Sequence, residues 1–325
     1  MFVHYAKVWG KRKKLLYNFS LVKYNALVNK NKGGTPPTKK GTVIMKRTIA
    51  LILAILMMAA CFAGCTKPAD KTEGTGNSTG NTEAKTEQKT VVVGYTIYEP
   101  MNYKDESGKL VGFDTELAEA VFGKMGYKVI FQEIEWESKY TDLNSGAIDC
   151  VWNGFTCNTK DDDGIARAEK VDFSYNYMEN RQVVVVKADS GIAAAADLNG
   201  KLGAAESGSA GETYAKTFEG ATIKGFTVQT DCLREVNAGT QDFAVLDAQL
   251  AKSYVGKGDY ANLKIVEGLD SEVEYYAIGF KKGSELTANV NAQLDALAKD
   301  GTIKALADKY KVANTAITDF SDQKK

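Results

Sequence analysis

Short apolar runs alternate with amphipathic stretches along most of the chain, and this alternation limits its possible folds more than any other feature. Residues 91–95 have the pattern of a short buried strand. A helix is predicted after Asp114, a residue type that makes a good N-cap. Strands are predicted at 129–131 and 148–152, with a short helix at about 138–145 between them. The βαβαβ order indicates an α/β fold with a mainly parallel sheet.

The same rhythm continues toward the C-terminus and leaves two arrangements open. Helices are predicted between the strands and at the C-terminal end, and the strands fall at residues 183–186, 202–204, 222–226, 243–246, 263–266 and 276–280. Two α/β units of about 90–100 residues each fit this length. One continuous doubly wound sheet fits as well, and the sequence alone does not decide between them.

The net charge of zero hides an uneven distribution. The first 64 residues hold 12 basic and no acidic residues, so the 41 basic and 41 acidic residues of the chain leave 29 basic and 41 acidic for the remainder. An acidic body argues against a nucleic-acid partner, which requires a basic patch. The one histidine, His4, lies in the basic N-terminal stretch. Histidine triads and histidine-ligated metals are thereby excluded from the body, and we expect no metal and no cofactor.

An uncharged run of 16 residues, 49–64, follows Lys46-Arg47 and has the pattern of a secretory signal. The small residues before Cys65 resemble the lipobox of bacterial lipoproteins, in which the cysteine becomes the acylated N-terminus. An ordinary signal peptide or an anchor helix is the alternative. Residues 65–89 are polar and predict a flexible tether.

Residues 1–44 lie upstream of a complete signal segment, 45–64, that has its own methionine. We interpret them as an extension before the true translation start. An unusually long basic n-region is the alternative.

Seven short motifs occur in order with compatible spacing. They are Leu110–Asp114, Ser145–Asp149, Asn153–Thr156, Val171–Ser174, Asp197–Lys201, Glu206–Ser209 and Gly239–Asp247. Through them the body resembles the polar amino acid-binding proteins of ABC importers, the bacterial extracellular solute-binding proteins of family 3.

This resemblance implies a two-lobed α/β fold of the type II periplasmic-binding-protein kind, with a ligand cleft between the lobes. Residues 90–182 plus 282–325 are expected to form lobe 1, and residues 183–281 are expected to form lobe 2.

An amino acid zwitterion needs a cation for its carboxylate and an anion for its ammonium. The resemblance assigns the carboxylate to Arg167, whose planar fork binds carboxylates bidentately, and to the helix start at Ser209 and Ala210. The ammonium is assigned to Asp247, at the carboxyl end of a strand. The alternatives are a solvated arginine and two plain helix N-caps. The loop before Arg167, residues 157–166, is longer than the family pattern, and its run of three aspartates is interpreted as a solvated turn.

Further residues are expected to complete the ligand pocket. A backbone oxygen of Asn153 or Gly154 and the hydroxyl of Thr156 are expected to supply polar contacts. The aromatic residues Tyr98 and Trp136 are expected to form the pocket wall, with Tyr95 also in reach. Trp152 is interpreted as a core residue.

The leading hypothesis is a monomeric lipoprotein, held on the outer face of the membrane, that captures an amino acid by lobe closure and presents it to an ABC permease. It is expected to catalyse no reaction. The alternatives are an enzyme on the same fold, such as a prephenate or arogenate dehydratase-like protein, and a sensory ligand-binding domain. Cys150, Cys157 and Cys232 are either free thiols or include a Cys150–Cys157 disulfide.

Overall fold

A computed structural model describes residues 88–324 of the chain. The proposed upstream extension, the signal segment, lipidation at Cys65 and nearly all of the tether lie outside the described residues. Within residues 88–324, no helix is long and apolar enough to cross a membrane.

The strands and helices follow the predicted alternation. The strands are β1 (Thr90–Tyr95), β2 (Tyr103–Lys104), β3 (Leu110–Val111), β4 (Lys128–Glu133), β5 (Cys150–Val151), β6 (Asp172–Phe173), β7 (Met178–Asn180), β8 (Gln182–Lys187), β9 (Leu202–Glu206), β10 (Thr222–Phe226), β11 (Phe243–Asp247), β12 (Leu263–Asp270), β13 (Glu274–Tyr276) and β14 (Gly279–Phe280). The α-helices are α1 (Phe113–Lys124), α2 (Lys139–Ser145), α3 (Arg167–Lys170), α4 (Ala210–Ala215), α5 (Gln229–Ala238), α6 (Ala248–Tyr254), α7 (Leu286–Lys299) and α8 (Thr302–Lys309). Short 3-10 turns lie at Trp136–Ser138, Ala195–Leu198, Gly258–Tyr260 and Ser321–Gln323.

Two separate five-stranded sheets form the two lobes. The first has the order β4-β1-β5-β14-β6 and the second the order β10-β9-β11-β8-β12. In each sheet one strand, β14 or β8, runs antiparallel to both of its neighbours. Both sheets are therefore mainly parallel, as predicted, and a single continuous sheet is ruled out. The exact boundaries between the lobes remain a prediction.

Burial follows the apolar runs of the sequence. Strand β8 carries four consecutive valines, Val183 to Val186, all of them buried. A strand in the middle of a covered sheet is buried on both faces, which is why its apolar run is continuous instead of alternating. In lobe 1, helix α1 buries Phe113, Leu117 and Val121. The largest buried apolar cluster includes residues of both sheets, among them Val93 and Val185.

The prediction that Asp114 caps helix α1 is wrong. The helix begins at Phe113 with Gly112 as its N-cap, two residues before Asp114, and makes no side-chain cap hydrogen bond. The carboxylate of Asp114 is instead fully buried, where it accepts hydrogen bonds from the Gly154 N–H at 2.9 Å and from the Tyr177 hydroxyl at 2.9 Å. Asp114 therefore supports the segment that carries Gly154 instead of beginning a helix.

Candidate functional site

The carboxyl ends of strands from both lobes meet around one narrow cavity of about 10 Å³, room for about one water molecule. Residues of both lobes line it: Tyr98, Trp136, Asn153, Gly154, Thr156, Arg167, Glu206, Ser209, Ala210, Gln229 and Asp247. Nine of the ten predicted ligand-binding residues are in this set. The tenth, Tyr95, lies outside it and packs edge-on against Phe131, with ring centroids 6.2 Å apart.

Arg167 is a fixed, buried cation at the start of helix α3, with 1% of its surface exposed. Its Nε donates to Asp161 at 2.8 Å, and its terminal nitrogens donate to the Thr156 and Gly208 carbonyls, each at 3.3 Å. The guanidinium also lies 5.4 Å from the centre of the Phe155 ring. An arginine has five N–H donors, so these three hydrogen bonds leave two for a ligand. The alternative of a solvated surface arginine is excluded.

Asp247 is the last residue of β11 and is held by neutral amides. Its Oδ1 accepts from Asn180 and Gln182, each at 2.7 Å, and the Gln229 amide donates to its Oδ2. Burial raises the pKa of this carboxyl, while the amide donors act in the opposite direction. The side chain makes no cap hydrogen bond to helix α6, although Asp247 occupies the N-cap position. An anion thus lies at the cavity wall contributed by lobe 2.

Ser209 is the N-cap of helix α4, where its hydroxyl oxygen accepts from the Glu212 N–H at 3.0 Å. Ser209 is thus an N-cap, and the helix start that it caps also lies on the cavity wall. The two interpretations of this residue, a plain N-cap and a contact for the ligand carboxylate, are therefore compatible. The N–H groups of a first helical turn have no partners within their own helix, and they favour negative charge.

The polar platform of lobe 1 is fixed by its own hydrogen bonds. The Asn153 amide donates to the Thr96 carbonyl at 2.8 Å and to Asn102 at 2.7 Å, and its Oδ1 accepts from the Thr96 hydroxyl at 2.7 Å. The Thr156 hydroxyl donates to Glu274 at 3.2 Å. Because the Asn153 side chain is used in this way, its backbone oxygen is the group left for a ligand.

The backbone of the lobe 1 platform favours glycine at position 154. Its φ angle is 60°, a left-handed conformation that favours glycine. A Cβ atom here would also lie 2.7 Å from the Tyr98 ring. The glycine lets the platform approach the aromatic wall closely.

Tyr98 and Trp136, which the resemblance assigns to an aromatic wall, both line the cavity. The Tyr98 hydroxyl lies 2.7 Å from that of Tyr276, and Trp136 packs edge-on against Phe155 with ring centroids 5.2 Å apart. Both rings are thereby held in one orientation. Trp152 is fully buried and packs on Phe122, away from the cavity, as expected for a core residue.

Two cavity residues, Glu206 and Gln229, were not among the ligand-binding residues predicted from the sequence. Glu206 ends strand β9 just as Asp247 ends β11, so the rule that ligands bind at the carboxyl ends of strands could have identified it. Burial and the neighbouring charge of Asp247 raise the pKa of Glu206 to about 8. Gln229 begins helix α5 and touches the cavity through the amide that also holds Asp247.

The aspartate run of the 157–166 loop is not a simple solvated turn, contrary to expectation. Asp161 binds Arg167, and its other oxygen accepts from Lys170 at 2.8 Å. Asp162 contacts lobe 2, where it pairs with the Lys216 ammonium and accepts from the Thr213 hydroxyl at 3.2 Å. The longer loop thus supports the buried arginine and contacts the opposite lobe at the cleft mouth.

All three cysteines of the described residues are free thiols. Cys150 and Cys232 are buried, and the Cys157 thiol donates to Asn176 at 3.1 Å. The open question of a Cys150–Cys157 disulfide is thereby answered in favour of free thiols.

Comparison with known proteins places the chain in a family. Residues 91–313 match the bacterial extracellular solute-binding proteins, family 3. The arginine-binding extracellular protein ArtP of Bacillus subtilis is 32% identical over 218 residues, which cover 66% of this chain and 82% of ArtP. The L-cystine-binding protein TcyA of the same organism is 32% identical over 217 residues, which cover 66% of this chain and 77% of TcyA.

A solved structure agrees with these sequence matches. An ancestral arginine-binding protein bound to arginine superposes with a TM-score of 0.62 at 35% identity, over 68% of this chain and 97% of that protein. The chain belongs to the bacterial extracellular solute-binding proteins of family 3.

Proposed function

We propose that the protein binds a free amino acid in the cavity between its lobes and presents it to the permease of an ABC importer. One observation carries the proposal: the cavity combines a buried arginine of lobe 1, Arg167, with a buried aspartate of lobe 2, Asp247. A zwitterion has one group for each of them. A ligand held in this way would connect the two lobes.

The contacts around the cavity explain how binding and closure are coupled. The two remaining N–H groups of Arg167, together with the start of helix α4, would hold the ligand carboxylate. Asp247 would hold the ammonium. Two contacts already cross the cleft at Gly208, whose carbonyl accepts from Arg167 at 3.3 Å and from Lys139 at 3.0 Å. The ligand adds its own bonds to these and shifts the population toward the closed form.

A purely binding role is supported by the chemistry of the cleft. The chain has one histidine, His4, so no imidazole base is present in residues 88–324. The carboxylate of Asp247 is occupied by amide donors, an arrangement suited to holding a charge rather than transferring a proton. The family consists of solute-binding proteins, which favours transport over a dehydratase-like activity.

The family is extracellular, so the protein acts outside the cytoplasm. Attachment through an acylated Cys65 and a monomeric state belong to the proposal. Labelling of expressing cells with a fatty acid, compared between the wild type and Cys65→Ser, tests the attachment. Absence of label in the wild type would contradict it.

Isothermal titration calorimetry of the full chain against the twenty amino acids, cystine, ornithine and citrulline tests the main proposal. Arg167→Ala and Asp247→Ala should each weaken binding by a factor of about thirty or more, since truncating one partner of a buried charge pair costs about 2–5 kcal/mol. Arg234→Ala and Asp308→Ala are matched controls, because both side chains are exposed and pair within their own helices. Unchanged affinity in both cavity variants, with folding verified by circular dichroism, would refute the proposal.

A further inference from the structure

Glu206 is a buried carboxylate on the cavity wall without a full set of partners. It is 3% exposed, and its Oε1 has no hydrogen-bond partner within residues 88–324. A buried charge is costly unless it is paired, and buried polar atoms are rarely left without a partner. Because Glu206 lines the same cavity as Arg167 and Asp247, a ligand held between those two residues would lie beside it.

The other buried acids near the cleft differ from Glu206 in this respect. Asp247 has three amide donors. Glu274 accepts from the Thr156 hydroxyl at 3.2 Å and from the Gln182 amide at 2.9 Å, and it does not line the cavity. Glu206 is therefore the carboxylate that combines access to the cavity with an oxygen lacking a protein donor.

The neighbouring protein cations are engaged elsewhere. The Lys139 ammonium donates to the carbonyls of Trp136, at 3.3 Å, and Gly208, and it lies outside the cavity lining. Arg167 pairs with Asp161. Within the described part of the chain, no ion pair includes Glu206. No protein cation therefore pairs directly with Glu206, although the charges of Lys139 and Arg167 lower its pKa from a distance.

A comparison of charges connects this carboxylate to the ligand. Arg167 matches the α-carboxylate of an amino acid, and Asp247 matches its α-ammonium. Glu206 then has no partner among the backbone groups of the ligand. The rings of Tyr98 and Trp136 at the cavity wall also attract cations. We propose that Glu206 is a specificity-determining residue that binds a positively charged group on the ligand side chain, so that the ligand class is amino acids with cationic side chains. This inference rests on the proposed binding of an amino acid in the cleft.

The pKa of Glu206 agrees with this assignment. Burial and the charge of Asp247 raise it to about 8, against the opposing effects of the Lys139 and Arg167 charges and of a hydrogen bond from Gln229, so the surroundings on balance disfavour the ionised form. A cation placed beside the carboxylate would reverse that effect.

Pairs of ligands that differ in side-chain charge test the inference without any variant. Calorimetry of the full chain should show L-arginine binding about ten- to a hundredfold more tightly than L-citrulline, its neutral isostere, or L-lysine more tightly than L-norleucine by a similar factor. Equal affinities within both pairs would overturn the inference and leave the proposed function intact. Binding of no amino acid at all would instead overturn the proposed function.

Glu206→Gln tests the residue itself, because it keeps the shape and removes the charge. The variant should lose most of the preference for the cationic ligand, while the affinity for the neutral isostere changes less than about threefold. Glu267→Gln, at an exposed position of β12, is the matched control and should behave as wild type. If Glu206→Gln melts within a few degrees of wild type and keeps the full preference for the cationic ligand, Glu206 is not the residue that binds the ligand side chain.

Discussion

The contact between Asp162 and Lys216 crosses the cleft mouth and provides a sharp test of closure. Asp162 belongs to the 157–166 loop of lobe 1, whereas Lys216 follows helix α4 of lobe 2. Their ion pair can form only when the lobes are together. We therefore expect Asp162→Asn to weaken ligand binding without touching the cavity.

The size of the effect follows from the exposure of the pair. The side chains of Lys216 and Asp162 are 44% and 48% exposed, and Lys216 keeps a second partner, Glu212, at 3.0 Å. Exposed ion pairs contribute about 0.2–1 kcal/mol. This corresponds to a loss of affinity of about 1.4- to fivefold. The asparagine oxygen can still accept from the Thr213 hydroxyl, so only the charge is removed.

Calorimetry at two salt concentrations measures this effect. The difference between Asp162→Asn and wild type should be present at about 0.02 M salt and largely vanish at about 0.5 M, because salt screens exposed charges. Asp163→Asn is the matched control: Asp163 pairs with Lys170 of the same lobe at 2.7 Å and should not affect affinity. Equal weakening in both variants, or a loss for Asp162→Asn that does not depend on salt, would refute the role of the contact in closure.

Two further predictions concern buried charges of lobe 1. Burial raises the pKa of Asp114 to about 7, so its contribution to stability is present below its ordinary pKa near 4 and is lost as the pH rises through 7. Asp114→Asn should therefore melt above wild type at pH 8, by up to about 4 kcal/mol in unfolding free energy, with the gap narrowing as the pH falls and closing below about pH 4; a gap independent of pH in thermal melts would contradict this. Arg167→Lys keeps the charge but loses the planar fork, so we expect affinity to fall about tenfold or more; wild-type affinity by calorimetry would show that the fork is not used.

The order of elements and most of the cavity wall could be predicted from the sequence because both depend on local patterns. The four valines of β8 indicate a buried strand through their run alone. Asp247 follows an equally apolar strand, and the ends of parallel strands gather at one edge of a sheet. Position along a strand is thus enough to place a polar residue near the cleft, even though the cavity joins residues far apart in the chain.

Contacts between distant segments could not be predicted in the same way. Asp114 precedes an apolar helix and so has the local pattern of an N-cap, yet its partners Gly154 and Tyr177 are 40 and 63 residues away. Glu206 stands before the polar, glycine-containing segment 207–209, a local context typical of exposed residues. Glu206 is nevertheless buried, in a cavity that it shares with residues of lobe 1 far away in the chain, and no local pattern records that neighbourhood.

The position of Glu206 in a cavity lined by both lobes connects the residue to closure. If the lobes open, water reaches its carboxylate and the charge is solvated. If they close without a cation, the carboxyl must either bury its charge with an oxygen that has no protein donor or take up a proton, as its pKa of about 8 indicates, and either cost opposes closure. If they close around a ligand with a positive side chain, a pair is buried instead of a single charge. The same carboxylate would then select the ligand and make closure depend on it, since a ligand shifts the equilibrium only by its differential affinity for the two forms.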